Sequence, residues 1–300
     1  MNDNCYTVFT HRDLDGLVSL LVFLWAKPDA HITYRTVTNI NVEAQIREYI
    51  ENVANPHNLY IFDIALRESF KEFDFPYIKV VDHHARSLEF QPLFKQAKTI
   101  IRPEFGSNCR MLYKFFSDKG IAFTDQQKKM ILLGDDYDSG KNSIQTSYNL
   151  NILFWAKYRS DINRFLTDYA QGFKPFTQSD IKMIDSVKQD ALNTANELPV
   201  FEGYIQHPTK VADNIPIISS IGESVNSLAL DILMKKYDRN IIFFINTKSQ
   251  KVSMKQRYSE NAIDLSIIAK KYCEGNGSTF SAGGNLTDLF MEVAKNFKPL

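Results

Sequence analysis

The sequence predicts an α/β protein with a parallel sheet in its N-terminal half and a smaller α/β domain after it. Three observations carry this. Short runs of β-branched and aromatic residues alternate with helical patterns over the first third, the signature of βαβ units. A long polar helical stretch, 177–196, then runs into Leu198-Pro199. A mixed strand and helix pattern restarts near Val200.

In order, residues 6–10 (YTVFT) form the first strand candidate, and the apolar run that follows predicts a helix over 16–25. Residues 31–37 predict a second strand and 42–52 an amphipathic helix. The runs 59–64 (LYIFDI) and 77–81 (YIKVV) are too short for helices and rich in strand formers. Residues 109–116 and 125–133 read as helices. In 177–196, Ile181, Ile184, Val187 and Ala191 recur near helical period, which marks a connector helix. Beyond it, 211–219 and 241–246 are strand-like with a helix over 224–236, and 252–256 and 265–272 give a further strand and helix. The expected division is a catalytic domain over 1–176, a connector over 177–199 and a second domain over 200–300. A chain of 300 residues exceeds what one core usually holds, which supports two domains.

Formal net charge is zero, from 35 basic and 35 acidic residues. That disfavours long duplex nucleic acid, whose binding needs a basic face. A small anion held by a few local cations is compatible with it. The three cysteines fit neither a metal-ligand spacing nor an even disulfide set, so reduced thiols and a cytoplasmic location are expected. The N-terminus shows no signal-peptide pattern, and the run 17–26 (LVSLLVFLWA) is half the length of a membrane span, so no membrane is expected as a partner.

Acidic and imidazole side chains follow three strand candidates of the first half, and a fourth acidic motif follows the helix candidate 125–133. HRDLDG gives His11, Asp13 and Asp15; LYIFDI gives Asp63; VDHH gives Asp82, His83 and His84; GDDYDSG gives Asp135, Asp136 and Asp138. In an open parallel sheet, ligands bind at the carboxyl ends of the strands, so these motifs would meet at one edge. Singly, such residues are commoner as caps and turn formers: Asp15 could cap the helix at Gly16, and Asp63 the segment at Arg67. Together they include three of the six histidines and a crowd of carboxylates whose repulsion divalent cations would relieve. Mixed Asp and His ligands suit Mn²⁺ or Mg²⁺.

These four motifs, in this order, resemble those of the DHH phosphoesterase superfamily: VDHH is its signature, and HRDLDG stands for its HxDxDG motif. Asp63 matches the lone aspartate of the second motif, and Asp138 that of the fourth, with Asp136 as the fallback. The second half is similar to the associated DHHA1 domain, through VSMKQR (252–257), IDLSIIAKKY (263–272) and the Gly-rich GNGSTFSAG (275–283). Two departures stand out: Asn276 replaces a glycine, and Ser278 occupies the position of a histidine. The spacing of His11 and Asp13 is that of the branch containing some nanoRNases.

The resemblance implies a phosphodiesterase working by two-metal water attack on short oligonucleotides or small nucleotides. Two divalent cations are implied, Mn²⁺ first, with Mg²⁺ or Co²⁺ as alternatives. His11, Asp13 and Asp63 would hold one ion; Asp15, Asp63, His83 and Asp138 the other. His84 would face the phosphoryl group, and Asp82 would orient the histidines. Substrate contacts would come from Lys255, Arg257, Gly275, Gly277, Ser278 and Gly283. Alternatives are hydrolysis of a cyclic dinucleotide, a linear dinucleotide or adenosine bisphosphate, or a nucleotide-binding protein whose catalysis has decayed. A homodimer is allowed.

Overall fold

A computed structural model describes residues 4–53, 56, 58–206, 214–257, 262–277 and 280–300. The chain divides into two compact units, Met1–Asp180 and Ile181–Leu300.

The first unit opens with β1 (Cys5–His11), α1 (Leu14–Ala26), β2 (His31–Val37), α2 (Val42–Asn52), β3 (Leu59–Phe62) and β4 (Ile78–Asp82). It continues through the short α3 (Ser87–Phe90), β5 (Lys98–Ile101), α4 (Asn108–Ser117), α5 (Asp125–Asp138), α6 (Gln145–Leu153) and α7 (Ile162–Asp168). The sheet order is β2-β1-β3-β4-β5, and every pairing is parallel. The central strands β1, β3 and β4 are largely buried on both faces, as in parallel sheets generally, while the edge strands β2 and β5 are partly exposed. On one face Phe9, Ile61, Ile78 and Val80 pack with Ile46 and Tyr49 of α2. On the other lies α1, whose Leu17, Val18, Leu20, Leu21 and Val22 are all buried and which packs on α4 and α5. Burying a Leu or Ile side chain contributes about 1.5–3 kcal/mol, so α1 anchors this half of the unit. No helix among the described residues is long and apolar enough to cross a membrane.

The boundary between the units falls within α8 (Gln178–Glu197). The second unit then contains β6 (Val200–Gln206), β7 (Asn214–Gly222), α9 (Ser227–Lys236), β8 (Ile241–Asn246), β9 (Lys251–Gln256) and α10 (Leu265–Cys273). It ends with β10 (Asn276–Gly277), β11 (Ser281–Asn285), α11 (Asp288–Ala294) and β12 (Lys298–Pro299). These strands form one mixed sheet ordered β10-β11-β9-β8-β7-β6-β12, with only β7 and β8 parallel among its pairs.

The helix expected over 16–25 starts two residues earlier, at Leu14, because Asp13 rather than Asp15 caps it. Asp63 caps nothing, and the segment after Arg67 is a 3-10 helix, Glu68–Phe73. The strand expected over 211–219 is described from Asn214 and extends to Gly222.

Candidate metal centre

Each candidate side chain of the first unit is delivered at or next to a strand end or a helix end. His11 closes β1, and Asp13 begins the turn into α1, where its Oδ1 accepts the Gly16 N–H at 2.9 Å. That turn is tight: a Cβ on Gly16 would lie 2.3 Å from the His11 carbonyl oxygen, which is why glycine follows Asp15 here. The cap leaves Asp13 Oδ2 for His11 Nδ1 at 2.5 Å.

Asp63 follows β3 with φ +59, in the left-handed region that Asp and Asn tolerate better than most residues. Its amide donates to the Val81 carbonyl, which holds this turn against β4. Its carboxylate is buried, with Oδ1 3.3 Å from His83 Nε2 and Oδ2 3.8 Å from His11 Nδ1. Asp82 ends β4 fully buried, accepting from His84 Nδ1 at 2.7 Å and from the Ser87 hydroxyl. Ser87 also accepts the Leu66 N–H, so one hydroxyl ties the loops after β3 and β4 together.

Asp138 is the last residue of α5, and its Oδ2 stands 3.2 Å from His83 Nε2. Its neighbour Asp136 faces elsewhere: it accepts from the Ser143 N–H and hydroxyl and from the Ile144 N–H, fixing the loop before α6. Asp135 accepts from the Ser107 hydroxyl at 2.7 Å and from Arg110. Ser107 in turn caps α4. Asp15 receives the first amides of α4, from Asn108 at 2.7 Å and Cys109 at 2.9 Å, and its Oδ2 lies 3.7 Å from His83 Nε2. A helix N-terminus thus stabilises this buried carboxylate.

The electrostatics follow from the crowding. Burial, then the charges of Asp13, Asp15 and other carboxylates, holds Asp63 well above the usual carboxylate range. Burial and the same two neighbours do so for Asp138. Burial also raises Asp15. For Asp13 and Asp82, burial is outweighed by the bonds and charges of His11 and His84 respectively, which leave both carboxyls low. Burial wins for His83, lowering it; for His11 and His84 the partner aspartates overcome burial and raise them.

Asp63 Oδ2, His83 Nε2 and Asp138 Oδ2 are buried with no hydrogen-bond partner among the described residues. Leaving a buried polar atom unpaired costs about 1–3 kcal/mol, more when charged. The contacts of 3.2–3.8 Å around His83 and Asp63 are wide for hydrogen bonds. They are close to the about 3.0–3.4 Å separating neighbouring ligands that each lie near 2.1 Å from one ion. Three overlapping sets could hold a metal: His11, Asp13 and Asp63; Asp15, His83 and Asp138; and Asp63, His83 and His84. The donor set, oxygen and imidazole without thiolate, fits divalent cations of the Mg²⁺ and Mn²⁺ kind.

No protein-family model matches the chain, and no curated protein does. Solved structures do. A pGpG-specific phosphodiesterase from Vibrio cholerae superposes with a TM-score of 0.57 at 13% identity, covering 97% of this chain and 96% of that one. An exopolyphosphatase-related protein from Bacteroides fragilis gives 0.60 at 12% identity over 98% and 92%. RecJ of Thermus thermophilus, in complex with Mn²⁺, gives 0.54 at 10% identity over 98% of this chain and 51% of its own. The chain has their fold. The motifs that resemble the DHH superfamily sit on that fold at the carboxyl ends of β1, β3 and β4 and at the end of α5.

The candidate substrate residues belong to the second unit. Lys255 lies in β9, where its ammonium is engaged by Asp231 at 2.7 Å and by the Ser227 hydroxyl at 2.8 Å. Arg257 follows β9, its amide donating to the Asn240 carbonyl. Gly275, Gly277 and Gly283 lie where β10, β11 and β9 approach closely; a Cβ on Gly275 would stand 2.0 Å from the Gly283 carbonyl oxygen. Ser278 lies outside the described residues.

Sequence reasoning passed over Arg12, inside the first motif. Its Nη2 donates to the Arg159 carbonyl at 2.5 Å, just past a π-helical turn, Phe154–Tyr158. Its Nε is buried with no hydrogen-bond partner among the described residues. The signal available was an arginine between two candidate ligands.

Proposed function

We propose that this protein is a metal-dependent phosphodiesterase of the DHH type that hydrolyses short oligonucleotides to mononucleotides. The observation that carries the reading is the convergence of three unpaired buried donors, on Asp63, His83 and Asp138, within a ring of further carboxylates and histidines. In it, His11, Asp13 and Asp63 hold one divalent cation, and Asp15, Asp63, His83 and Asp138 hold a second. Asp138 is preferred over Asp136 because the Asp136 carboxylate already serves the Ser143–Ile144 loop. Bound there, divalent cations would supply Lewis acidity and lower the pKa of water.

The chain's own residues do the positioning. Asp82 accepts the Nδ1 proton of His84 and so turns the opposite nitrogen toward the substrate phosphoryl group. Asp13 Oδ2, bonded to His11 Nδ1, fixes the ring of His11, which would serve as a ligand to the first cation. Hydrolysis joins the oxygen of water to phosphorus and releases the ester oxygen, which takes up a proton. Arg257, Gly277 and Gly283 are the phosphate contacts proposed for the second unit; the Gly275 amide already donates to the Ala269 carbonyl, and Lys255 is paired with Asp231.

The direct test is the purified protein with Mn²⁺, Mg²⁺ or Co²⁺ on di- to pentaribonucleotides. Mononucleotide release is expected, and no product at any length removes the reading. A linear dinucleotide as the sole substrate is the second reading, supported by the shared fold and matched length of the pGpG-specific enzyme. Relative rates on dinucleotide, pentanucleotide, cyclic dinucleotide and adenosine bisphosphate separate the two. A protein with decayed catalysis would turn over none.

A further inference from the structure

A second concave site lies on the first unit, and it shares no residue with the acid and histidine cluster. It is a groove of about 640 Å³ between the α1 and α4 side of the sheet and its β5 edge. That volume is in the range of small-molecule sites.

Its wall contains an arrangement that a sheet normally avoids. Tyr60, Lys79 and Lys98 stand directly opposite one another across β3, β4 and β5. Like charges in register on neighbouring strands repel. Lys79 is half-buried, and its ammonium lies over the Tyr60 ring and, among the described residues, hydrogen-bonds two neutral oxygens, Asn58 Oδ1 at 3.0 Å and the Tyr60 hydroxyl at 3.2 Å. Burial, with some help from the charge of Lys27, pulls this amine below its usual range.

Four more cations line the groove: Lys27, Arg102, Lys114 and Lys119. The one carboxylate among the described lining residues is Asp118, which is taken by Lys114 at 2.5 Å. Glu104 approaches Arg102 only to 4.0 Å. Between the cations the lining is apolar, and its accessible aromatic residues are Tyr60 and Phe105, both half-buried, and Phe115, which is exposed. Val81 and Ile100, paired in the next strand row, meet Phe23, Met111, Leu112 and Phe116. Phe23 and Phe116 are buried beneath this surface and back it, with the Phe23 ring 5.0 Å from that of Tyr60.

The two halves of this surface call for different parts of one ligand. We propose that the groove binds a nucleoside polyphosphate, its ring on the aromatic floor and its phosphates on the in-register lysines. A fatty-acid anion would cover the floor but bring one charge to a cluster of cations. An inorganic polyphosphate would neutralise the cations but leave the floor bare. A nucleoside triphosphate brings about four negative charges and a planar ring, matching both.

The test is calorimetric titration of the full-length protein with ATP in the presence of EDTA, which keeps the metal centre out of play. Saturable binding is expected with a dissociation constant below about 100 μM. Lys98→Glu, at an exposed position, and Lys79→Met, which keeps the side-chain stem, should each raise that constant at least about tenfold. Asp63→Ala should leave it unchanged. Decanoate and inorganic tripolyphosphate should each bind at least about tenfold more weakly than ATP. Absence of saturable binding, indifference to Lys98→Glu, loss with Asp63→Ala, or equal affinity for decanoate or tripolyphosphate would each overturn the assignment. Circular dichroism of the variants reports folding, and Lys98→Glu decides alone if Lys79→Met misfolds.

Discussion

His83 Nε2 stands 3.2 Å from Asp138 Oδ2, and neither atom has a hydrogen-bond partner among the described residues. Two buried polar atoms aimed at the same point without bonding define a place for a third party. If that party is a divalent cation, it binds the folded chain and stabilises it by mass action. Thermal unfolding in EDTA and in rising Mn²⁺ should therefore show a midpoint that climbs with metal. At 100 times the dissociation constant the gain is about 2.7 kcal/mol. A midpoint indifferent to Mn²⁺, Mg²⁺ and Co²⁺ would leave the orphaned donors without an explanation.

The two neighbouring aspartates at the end of α5 should separate cleanly. Asp138→Ala removes a proposed ligand and little else, so it should abolish phosphodiesterase turnover and the metal-dependent rise in midpoint while costing the metal-free protein no stability. Burial and like charges act on this group together, so relief of carboxylate crowding should offset any packing lost in the metal-free protein. Asp136→Ala strips three hydrogen bonds from Ser143 and Ile144 and should destabilise the metal-free protein by about 2–3 kcal/mol. Metal titrations monitored by unfolding distinguish them. The reverse pattern would exchange their roles.

Much of this site was legible because the first three motifs follow apolar runs: TVFTH, YIFD and KVVDHH place their polar groups where a buried strand must stop. The rule that parallel sheets bind ligands at the carboxyl ends of their strands then put Asp13, Asp63 and His83 at one sheet edge. What the sequence hid was what each carboxylate does with its second oxygen. Asp15 takes amides from Asn108 and Cys109, more than ninety positions away, which no local pattern encodes. Asp135 and Asp136 look as able as Asp138 in a string of letters, and only the loop at Ser143 tells them apart. In the fold, β5 went unread because Lys98–Ile101 is a four-residue edge strand with a lysine at its start. The hairpin of β10 and β11 went unread because glycines carry no strand propensity and serve here by letting backbones touch. The pairing of Lys255 with Asp231 is likewise a tertiary fact, joining β9 to α9.

Gly16 offers a test of the turn that sets the first motif. Any side chain there would put a Cβ 2.3 Å from the His11 carbonyl oxygen. The neighbour is backbone, so it cannot swing aside. Gly16→Ala should cost about 1–3 kcal/mol and displace His11 from Asp13, lowering activity well beyond what the stability loss explains. Chemical denaturation gives the first quantity, and turnover at a temperature where the variant is fully folded gives the second. An active, undiminished variant would mean that the turn relaxes freely.

The last prediction concerns pH and lies away from the metal centre. Asp180 is 5% exposed, yet Lys157 reaches it at 2.7 Å and Thr177 donates to it through both its amide and its hydroxyl. Burial alone would raise this carboxyl, but the bonds from Lys157 and Thr177 prevail and hold it below the usual carboxylate range. The unfolded chain, with an ordinary carboxyl near 3.8, therefore takes up this proton before the folded chain does. By linkage, the stabilisation is complete above that value and is lost as pH falls through it toward the lower folded value. Asp180→Asn should therefore be less stable than the parent at pH 7 by about 2 kcal/mol, the worth of a charge-assisted hydrogen bond. The gap should narrow steadily between about pH 5 and pH 2.5, because acid removes from the parent what the substitution has already removed. Unfolding midpoints of both proteins across that range, in EDTA, measure it. Parallel curves would show that the charge on Asp180 contributes nothing to holding the start of α8.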